Sequence, residues 1–316
     1  MTRDDSLQNF TVEDDRIDLP RGATARARRV KIGWRGRAIT ALSQGDYRNY
    51  LYPVFTPTGF PVTAEAPIDH PHHQSVTIGA DHFNCYLPYS GDKVEEANYS
   101  FYVNYTFQGR APGRILGKTL DATEVAEDHL RIVQTLHWQG PSEWGAPDGR
   151  TVVEETRTID IRPGEAANVI DIRSRLRPTE WDIRIGPTRH AYLTVRLADG
   201  LRVVDGGAVV DSDGRSGGEA ISGSRAGWVD ASGMAAGGRR AGVALLPYPS
   251  AGDPPWSVAD YGTITVNPFL EAGCELKRGD STDFAARLLV HDGDAAEAGV
   301  AAMFQTFLDE QQGGKN

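Results

Sequence analysis

The chain has 316 residues, of which 40% are hydrophobic and 24% are charged, as is usual for a globular protein with a buried core. Its net charge of −10 argues against a nucleic-acid partner, because such partners require a basic face. Cys85 and Cys274 are too few for a disulfide framework, and no apolar run approaches the length of a membrane span. The amino terminus is acidic and polar, without the apolar region of a secretion signal, so we expect a cytoplasmic protein with no membrane partner.

Most of the patterned segments predict β-strands, and the 35 glycines and 18 prolines favour frequent turns between them. The clearest segment is 168–177, in which apolar and charged residues alternate with a period of two. Glu154 and Glu155 fall on opposite faces of the preceding strand, so at most one of them can face a site. In chain order the predicted strands are 99–107, 130–137, 151–162, 168–177, 187–197, 201–211, 241–247, 261–267 and 283–290.

One helix is predicted near the end of the chain. Asp294 suits an N-cap, and apolar residues from Val300 to Leu308 recur at helical spacing, which favours docking on a sheet. Segment 212–239 is rich in Gly, Ser and Ala and is predicted to be a long loop excursion. The whole pattern predicts a single all-β domain over residues 1–316: a large antiparallel β-sandwich at about 20–292, followed by a terminal helix at about 294–312.

Histidines are concentrated in one short stretch. Residues 69–73 read Asp-His-Pro-His-His, and His82 and Asn84 follow, so four of the eight histidines lie within thirteen residues. Imidazole can bind a metal, form hydrogen bonds or exchange a proton near neutral pH. We therefore interpret this stretch as one wall of a functional site.

Three interpretations of the chemistry of this stretch are possible. His70 and His72 could bind a divalent metal with a third ligand such as His190, although the spacing matches no established zinc motif. A single imidazole of tuned pKa could carry out metal-free acid–base catalysis. The third possibility is a turn whose histidines bond to backbone carbonyl groups.

The strand predicted at 187–197 places His190, Tyr192, Thr194 and Arg196 on one face by its period of two. An imidazole, a phenol, a hydroxyl and a guanidinium in one row suit a polyol or carboxylate ligand. An ordinary solvated sheet face is the alternative interpretation.

Residues 256–269 bring Trp256, Tyr261 and Asn267 close together in sequence. Aromatic rings beside amide groups commonly hold the faces and hydroxyl groups of sugars. His129, His137 and His291 are isolated and are interpreted as structural residues. The chain contains no glycine-rich phosphate loop, no nucleophile elbow and no dinucleotide-binding fingerprint.

Several ordered motifs resemble those of a bacterial family that carries the label methane oxygenase PmoA or domain of unknown function. They include Tyr50-Leu51-Tyr52-Pro53, Asp69-His70-Pro71-His72-His73, Gly227-Trp228-Val229-Asp230, Asn267-Pro268-Phe269 and Val290-His291-Asp292-Gly293, and the resemblance runs from about residue 40 to 308. Membrane methane oxidation needs a membrane-embedded copper protein, so we do not expect this label to describe the activity.

The stretch Thr188-Arg189-His190-Ala191-Tyr192-Leu193 is similar to the Thr-x-His-x-Tyr-Phe segment of aldose 1-epimerases, which are galactose-mutarotase-like sandwiches. The resemblance implies that His190 is a general acid near the ring oxygen of a sugar, and that one histidine of segment 69–73 also reaches the sugar. The base in those enzymes is a glutamate on a late strand. The comparable stretch here holds Asn267, with Glu271 a few residues on, so plain mutarotation is not expected.

Together these features predict a galactose-mutarotase-like supersandwich that acts on a sugar or an oxidised glycoside in bacterial catabolism, by epimerisation, elimination or hydrolysis. The predicted catalytic residues are His190, His72, His70, His73 and Asp69, where Asp69 orients one imidazole. The predicted substrate-binding residues are Tyr192, Arg196, His82, Asn84, Trp256, Tyr261 and Asn267.

No cofactor is expected in this interpretation. The first alternative is a hydrolase or lyase that holds a divalent metal through His70, His72 and His190. The second alternative is a carbohydrate-binding module without catalytic activity. The partner expected in every case is a small carbohydrate, and the oligomeric state is not predicted.

Overall fold

A computed structural model describes residues 7–14, 21–22 and 25–313. Its strands are β1 (Phe10–Asp14), β2 (Arg28–Trp34), β3 (Arg37–Gln44), β4 (Asn49–Val54), β5 (Val76–Ala80), β6 (Phe83–Pro88), β7 (Val94–Ser100), β8 (Ala111–Pro112), β9 (Arg114–Ala126), β10 (His129–Gln139), β11 (Thr151–Arg162), β12 (Ala167–Pro178), β13 (Asp182–Ile185), β14 (Ala191–Arg196), β15 (Ala208–Asp211), β16 (Val229–Met234), β17 (Arg240–Pro247), β18 (Trp256–Ala259), β19 (Thr263–Val266), β20 (Cys274–Leu276) and β21 (Thr282–Asp292). The helices are α1 (Gly218–Ile221) and α2 (Val300–Gly313), with 3-10 turns at Val203–Asp205, Ala236–Gly238 and Pro249–Ala251.

The described strands form three sheets. The first sheet has the order β1-β2-β3-β4-β5-β14-β19-β18, and the second has the order β15-β16-β17-β21-β12-β11-β10-β9. The third, smaller sheet has the order β20-β13-β6-β7-β8. Neighbouring strands are antiparallel apart from the short parallel pair of β7 and β8.

A continuous apolar core lies between the first and second sheets. Ile78 and Leu193 contribute to it from the first sheet, and Ile172 and Leu288 from the second. Each of these side chains is less than 5% exposed, so one face of each sheet is removed from water. The predicted all-β, antiparallel sandwich is confirmed, while its description as a single domain over residues 1–316 stays a prediction.

Segments with strong alternation form strands close to their predicted bounds. Strand β11 spans residues 151–162 as predicted, and the prediction for 168–177 lies inside β12. These two strands pair with each other in an unbroken antiparallel register. The prediction succeeds here because both strands are central in the sheet and present one apolar face to the core.

Three predicted elements are wrong in part. The strand predicted at 99–107 ends at Ser100, because Phe101 turns into the core and Arg48 binds the carbonyl oxygen of Val103 at 2.9 Å, which holds the segment away from a ladder. The predicted loop 212–239 contains β16, whose small side chains are buried in the second sheet. Residues 203–205 form a 3-10 turn within the strand predicted at 201–211.

The sandwich begins earlier, and the helix later, than predicted. Strand β1 already pairs with β2 before residue 20, while residues 15–20 lie outside the described residues. The side chain of Asp294 accepts hydrogen bonds from the backbone N–H groups of Ala296 and Glu297 at 3.1 and 3.0 Å. Asp294 therefore caps a turn at 295–299, and α2 starts only at Val300.

A buried ionic cluster crosses the space between the two large sheets. Glu155 on β11 has no exposed surface and accepts hydrogen bonds from Trp138 Nε1, Arg157 Nε and Ser174 Oγ, each at 2.8 Å. Arg157 in turn donates to the backbone oxygen of Asn49 in the first sheet at 3.1 Å. A buried carboxylate is tolerated when its oxygens are saturated with donors in this way.

We expect Glu155→Gln to lower the free energy of unfolding by about 3–5 kcal/mol, because it leaves Arg157 buried without its counter-charge. The neighbouring Glu154→Gln is a matched control, since Glu154 pairs with Arg177 at the surface at 3.0 Å and such pairs contribute about 0–1 kcal/mol. Urea unfolding followed by tryptophan fluorescence measures both values. Equal effects of the two substitutions would contradict this assignment.

Candidate functional site

A cleft of about 550 Å³ opens on the face of the first sheet that points away from the core. Its floor is formed by β18 and β19, which present Ser257, Thr263 and Thr265. Its walls are the histidine-rich segment 69–73, the segment 101–107 and the loop 186–190. Segment 101–107 is joined to the sheet by the backbone hydrogen bond from Phe101 to Ala80 of β5, and the loop 186–190 is bound through His190 to Asp81 at the end of β5.

A carboxylate–imidazole pair lies at one wall of this cleft. His190 Nδ1 is 2.8 Å from Asp81 Oδ2, and the hydroxyl of Thr188 donates to the other carboxylate oxygen. The backbone N–H of Asp81 donates to the carbonyl oxygen of His190 at 3.2 Å. Asp81 is 2% exposed, so the imidazole is fixed by a buried group while its own ring reaches the cleft.

The hydrogen bonds of His190 define which ring nitrogen is available. Because a carboxylate only accepts, the Nδ1 proton points to Asp81, and Nε2 accepts a bond from Arg189 Nε at 3.2 Å. Burial raises the pKa of Asp81, but hydrogen bonds from His190 and Thr188 outweigh it and leave this pKa below its usual value. Asp81 is therefore ionised near neutral pH, and Nε2 can exchange a proton in the cleft once its hydrogen bond from Arg189 is broken.

The opposite wall is a group of contacting rings. The ring of His70 contacts those of His73 and Tyr261 with centroid distances of 4.6 and 4.5 Å, and the centroids of His73 and Tyr261 are 6.1 Å apart. Asp69 accepts hydrogen bonds from Arg196 Nη2 at 2.8 Å and lies 3.0 Å from His70 Nδ1. Burial opposes ionisation of Asp69, but these bonds to Arg196 and His70 hold its pKa well below the usual range. Asp69 thus contacts the imidazole of His70 and neutralises the buried Arg196.

Two further histidines of this wall are uncharged near neutral pH. Burial, followed by the charges of neighbouring imidazoles, lowers the pKa of His72 to about 4 and that of His73 to about 2. The hydroxyl of Tyr102 lies 2.9 Å from His73 Nε2, and its ring stacks on His190 at 4.9 Å. Tyr102 therefore links the histidine-rich segment to the carboxylate–imidazole pair.

The predicted metal set is not assembled. Within residues 7–14, 21–22 and 25–313, no group of three or more His, Cys, Asp or Glu side chains is arranged to hold a metal ion. The Nδ1 of His70 lies 3.0 Å from Asp69 Oδ2, and its ring contacts those of His73 and Tyr261. The arrangement of His70, His72 and His190 thus gives no support to the metal alternative.

Tyr192 does not share the face of His190, which corrects the interpretation from strand periodicity. Strand β14 begins only at Ala191, so the alternation seen at later positions does not extend back through His190. The Tyr192 ring packs edge-on against Phe269 and Phe284, and its hydroxyl bonds to Ser174 Oγ at 2.8 Å. Burying this ring between the sheets with a satisfied hydroxyl is favourable.

Trp256 and Asn267 also lie in the interior and not in the cleft, although both were predicted to bind substrate. Trp256 has no exposed surface, and its indole N–H donates to the carbonyl oxygen of Ala226 at 3.0 Å. Asn267 donates to the carbonyl oxygen of Thr188 at 2.7 Å and accepts from the N–H of Phe269 at 2.9 Å. Trp256 is the first residue of β18 and packs in the core, whereas Asn267 follows β19 and supports the loop that carries His190.

His82 and Asn84 lie outside the cleft of His190. They line a neighbouring cleft of about 500 Å³ on the third sheet. His82 Nδ1 is 2.8 Å from the carbonyl oxygen of Pro187, and Asn84 donates to Glu96. Their proximity to His70 in sequence therefore does not place them in the same cleft.

The site residues that were not predicted from the sequence include Asp81, which lies behind His190, and Tyr102 and Arg189, which line the cleft. Asp81 directly precedes His82, but no local pattern shows that it pairs with a residue 109 positions away. Tyr102 stood on the polar side of a predicted strand that does not form. A signal existed only for Arg189, which adjoins His190 in the motif similar to aldose 1-epimerases.

We expect the free energy of unfolding to decrease as the pH is lowered from about 6 to about 4.5, with His73 as one cause. Its imidazole has a pKa of about 2 in the folded chain and 6.5 as the ordinary value, so the unfolded chain binds more protons over this range. The contribution of His73 to the free energy of unfolding is complete above pH 6.5 and declines as the pH falls below that value. His73→Gln should reduce the slope by up to about 1.4 kcal/mol per pH unit, measured by urea unfolding at several pH values.

Tyr102→Phe is the control for this measurement. It removes the hydroxyl next to His73 Nε2 and should lower stability at every pH without changing the slope. Identical slopes for the wild-type chain and His73→Gln would show that His73 is not held neutral.

No helix of the described chain is long and apolar enough to cross a membrane. No curated protein matches the chain significantly in sequence.

Solved structures similar to the chain include a candidate aldose 1-epimerase from Klebsiella pneumoniae subsp. pneumoniae MGH 78578, with 10% identity, a TM-score of 0.44 and coverage of 95% of this chain and 87% of that one. A polysaccharide lyase has 12% identity and a TM-score of 0.37; the match covers 92% of this chain but about a third, 33%, of the lyase. The α-galactosidase AgaA from Geobacillus stearothermophilus has 14% identity and a TM-score of 0.35, and the match covers 87% of this chain and 40% of the α-galactosidase. A model of the family of unknown function DUF6807 matches residues 29–305, and the chain therefore belongs to that family.

Proposed function

We propose that the chain is a carbohydrate-active enzyme in which His190 transfers a proton to or from a sugar bound in the cleft. The observation that carries this proposal is the 2.8 Å contact between His190 Nδ1 and the buried Asp81. Such a pair holds one tautomer, orients the ring and stabilises the positive charge that forms when Nε2 takes up a proton. A carboxylate buried solely for structure would not need to present an imidazole to a cleft.

The lining of the cleft supports a sugar as the ligand. Tyr105 and Tyr261 are 50% and 37% exposed and offer aromatic surface to the apolar face of a pyranose. Hydroxyl groups of Ser257, Thr263 and Thr265 lie on the floor, where they can exchange hydrogen bonds with sugar hydroxyls. Rings together with short hydroxyl side chains favour a neutral polyol over a purely apolar ligand.

His72 is the second group that can transfer a proton. It lines the same cleft, and its pKa of about 4 keeps it neutral near neutral pH, where it acts only as a weak proton acceptor. His190 contacts the carboxylate of Asp81, whereas His72 has no carboxylate partner. The two imidazoles thus lie on two walls of the cleft in different electrostatic surroundings. Epimerisation, elimination and hydrolysis all need one group that donates and one that accepts, so the pair suits any of these reactions.

The carboxylate base of aldose 1-epimerases has no counterpart at the corresponding positions. Asn267 is buried in backbone hydrogen bonds, and Glu271 pairs at the surface with Arg225 at 2.5 Å. A mutarotation that depends on a glutamate from this strand is therefore not part of the proposal.

The test is proton NMR of the full chain with a panel of aldoses, glycosides and their 3-keto derivatives, with and without EDTA. We expect turnover that survives EDTA and that His190→Gln lowers by about 100-fold or more, which is the usual contribution of a general acid or base. His137→Gln is the matched control, because His137 is a partly exposed imidazole on β10 of the second sheet, contacts Thr151 Oγ1 at 3.2 Å and lines neither cleft.

The other outcomes separate the alternatives. Turnover that EDTA abolishes and one metal restores would replace the proposal with the metal-dependent hydrolase or lyase. Saturation transfer to a sugar without any turnover would favour the non-catalytic binding module. Equal losses in His190→Gln and His137→Gln would remove His190 from its catalytic role.

Asp81 is a positioning residue in this proposal. Asp81→Asn replaces an acceptor with an amide that can donate to Nδ1, which favours the wrong tautomer of His190. We expect kcat to fall at least about tenfold with little change in KM, and the acidic limb of the pH–rate profile to shift, since the imidazolium loses its counter-charge. A parallel rise in KM with unchanged kcat would indicate that Asp81 only shapes the cleft.

A further inference from the structure

His82 and Asn84, singled out by the sequence but absent from the cleft of His190, belong to a second cleft on the third sheet. This cleft has a volume of about 500 Å³, similar to that of the first. Arg184, Asn84 and Asn98 are directly opposed across β13, β6 and β7, so their side chains form one row on the same face. Glu96 extends this row through its hydrogen bond from Asn84.

The two clefts adjoin along two shared segments. In the turn at 107–110, Phe107 lines the first cleft, whereas Gln108 lines the second. In the loop 186–190, Pro187 lines the second cleft, whereas His190 lines the first. The two clefts are therefore neighbours, and a ligand that occupied both would have to cross this turn and loop.

Both boundaries are held in place. Phe107 and Arg110 exchange backbone hydrogen bonds at 3.2 and 2.9 Å, which closes the turn between the clefts. The carbonyl oxygen of Pro187 accepts a bond from His82 Nδ1 at 2.8 Å when that nitrogen is protonated. The second cleft is therefore a preformed surface next to the catalytic pair, and its shape does not require a ligand.

The chemistry of the two clefts differs in a complementary way. The first combines aromatic rings with the proton-transferring imidazoles, as a reacting sugar needs. The second offers the amides of Asn84 and Asn98, the carboxylate of Glu96 and the guanidinium of Arg184. Planar groups with paired donors or acceptors suit adjacent hydroxyls of a sugar that is held but does not react.

We infer that the second cleft is a subsite for a further sugar unit, so that the substrate is a glycoside of two or more units and not a free monosaccharide. This inference rests on the proposed function. It assigns His82, Asn84, Asn98 and Arg184 to substrate recognition at a distance from the reacting bond. Binding energy gained there positions the reacting unit against His190.

The experiment measures the affinity of the full chain for glucose, galactose, mannose and glucuronate and for their α- and β-linked di- and trisaccharides, by calorimetry and saturation-transfer NMR. We expect at least one disaccharide to bind about tenfold or more tightly than its monosaccharide. Asn98→Ala and Arg184→Ala should each reduce this gain severalfold and leave monosaccharide binding unchanged. Glu95→Ala is the control, because Glu95 is exposed on the opposite face of β7.

Thermal melts verify that each variant is folded before its affinity is compared. Equal affinities of mono- and disaccharides, or equal losses for both in Asn98→Ala and Arg184→Ala, would overturn the subsite while leaving the proposed function intact. Failure of every sugar to bind would overturn the proposed function and, with it, the subsite.

Discussion

The buried carboxylate of Asp81 organises the region in which both clefts form. It accepts hydrogen bonds from the hydroxyl of Thr188 and the imidazole of His190, while its backbone N–H binds the carbonyl oxygen of His190. These bonds tie the loop 186–190 to the end of β5. Because a buried carboxylate without donors costs several kcal/mol, the loop cannot leave this position cheaply, and the wall between the two clefts stays in place.

The charges around the first cleft follow from burial and pairing. Asp69 neutralises Arg196, whose side chain is 1% exposed, and burial keeps His72 and His73 neutral. His190 differs from those two imidazoles because its Nδ1 lies 2.8 Å from the buried carboxylate of Asp81. The histidine-rich segment therefore shapes and polarises the site, while the proton-transfer role proposed for His190 depends on a residue outside that segment.

Local patterns predicted the secondary structure best where a strand lies in the middle of a sheet. Strand β11 matches its prediction because its neighbours impose one buried and one solvated face over its whole length. The same reasoning failed for segment 101–107, where alternating residues serve a bent segment that contributes Phe101 to the core and Tyr102 to the cleft. Alternation of apolar and polar residues indicates which side chains are buried. A bent segment can bury alternate side chains as well as a strand can.

The sequence by itself determined the all-β class, the long central strands, and the presence in the cleft of His190 and of segment 69–73, because periodicity and residue chemistry are local properties. Only the tertiary structure decided that Asp81 partners His190, that Tyr192 and Trp256 face the core, and that His82 serves a separate cleft. These outcomes depend on how the sheets pack and on which distant residues form the buried hydrogen bonds. The spacing of residues along the chain does not encode such long-range contacts.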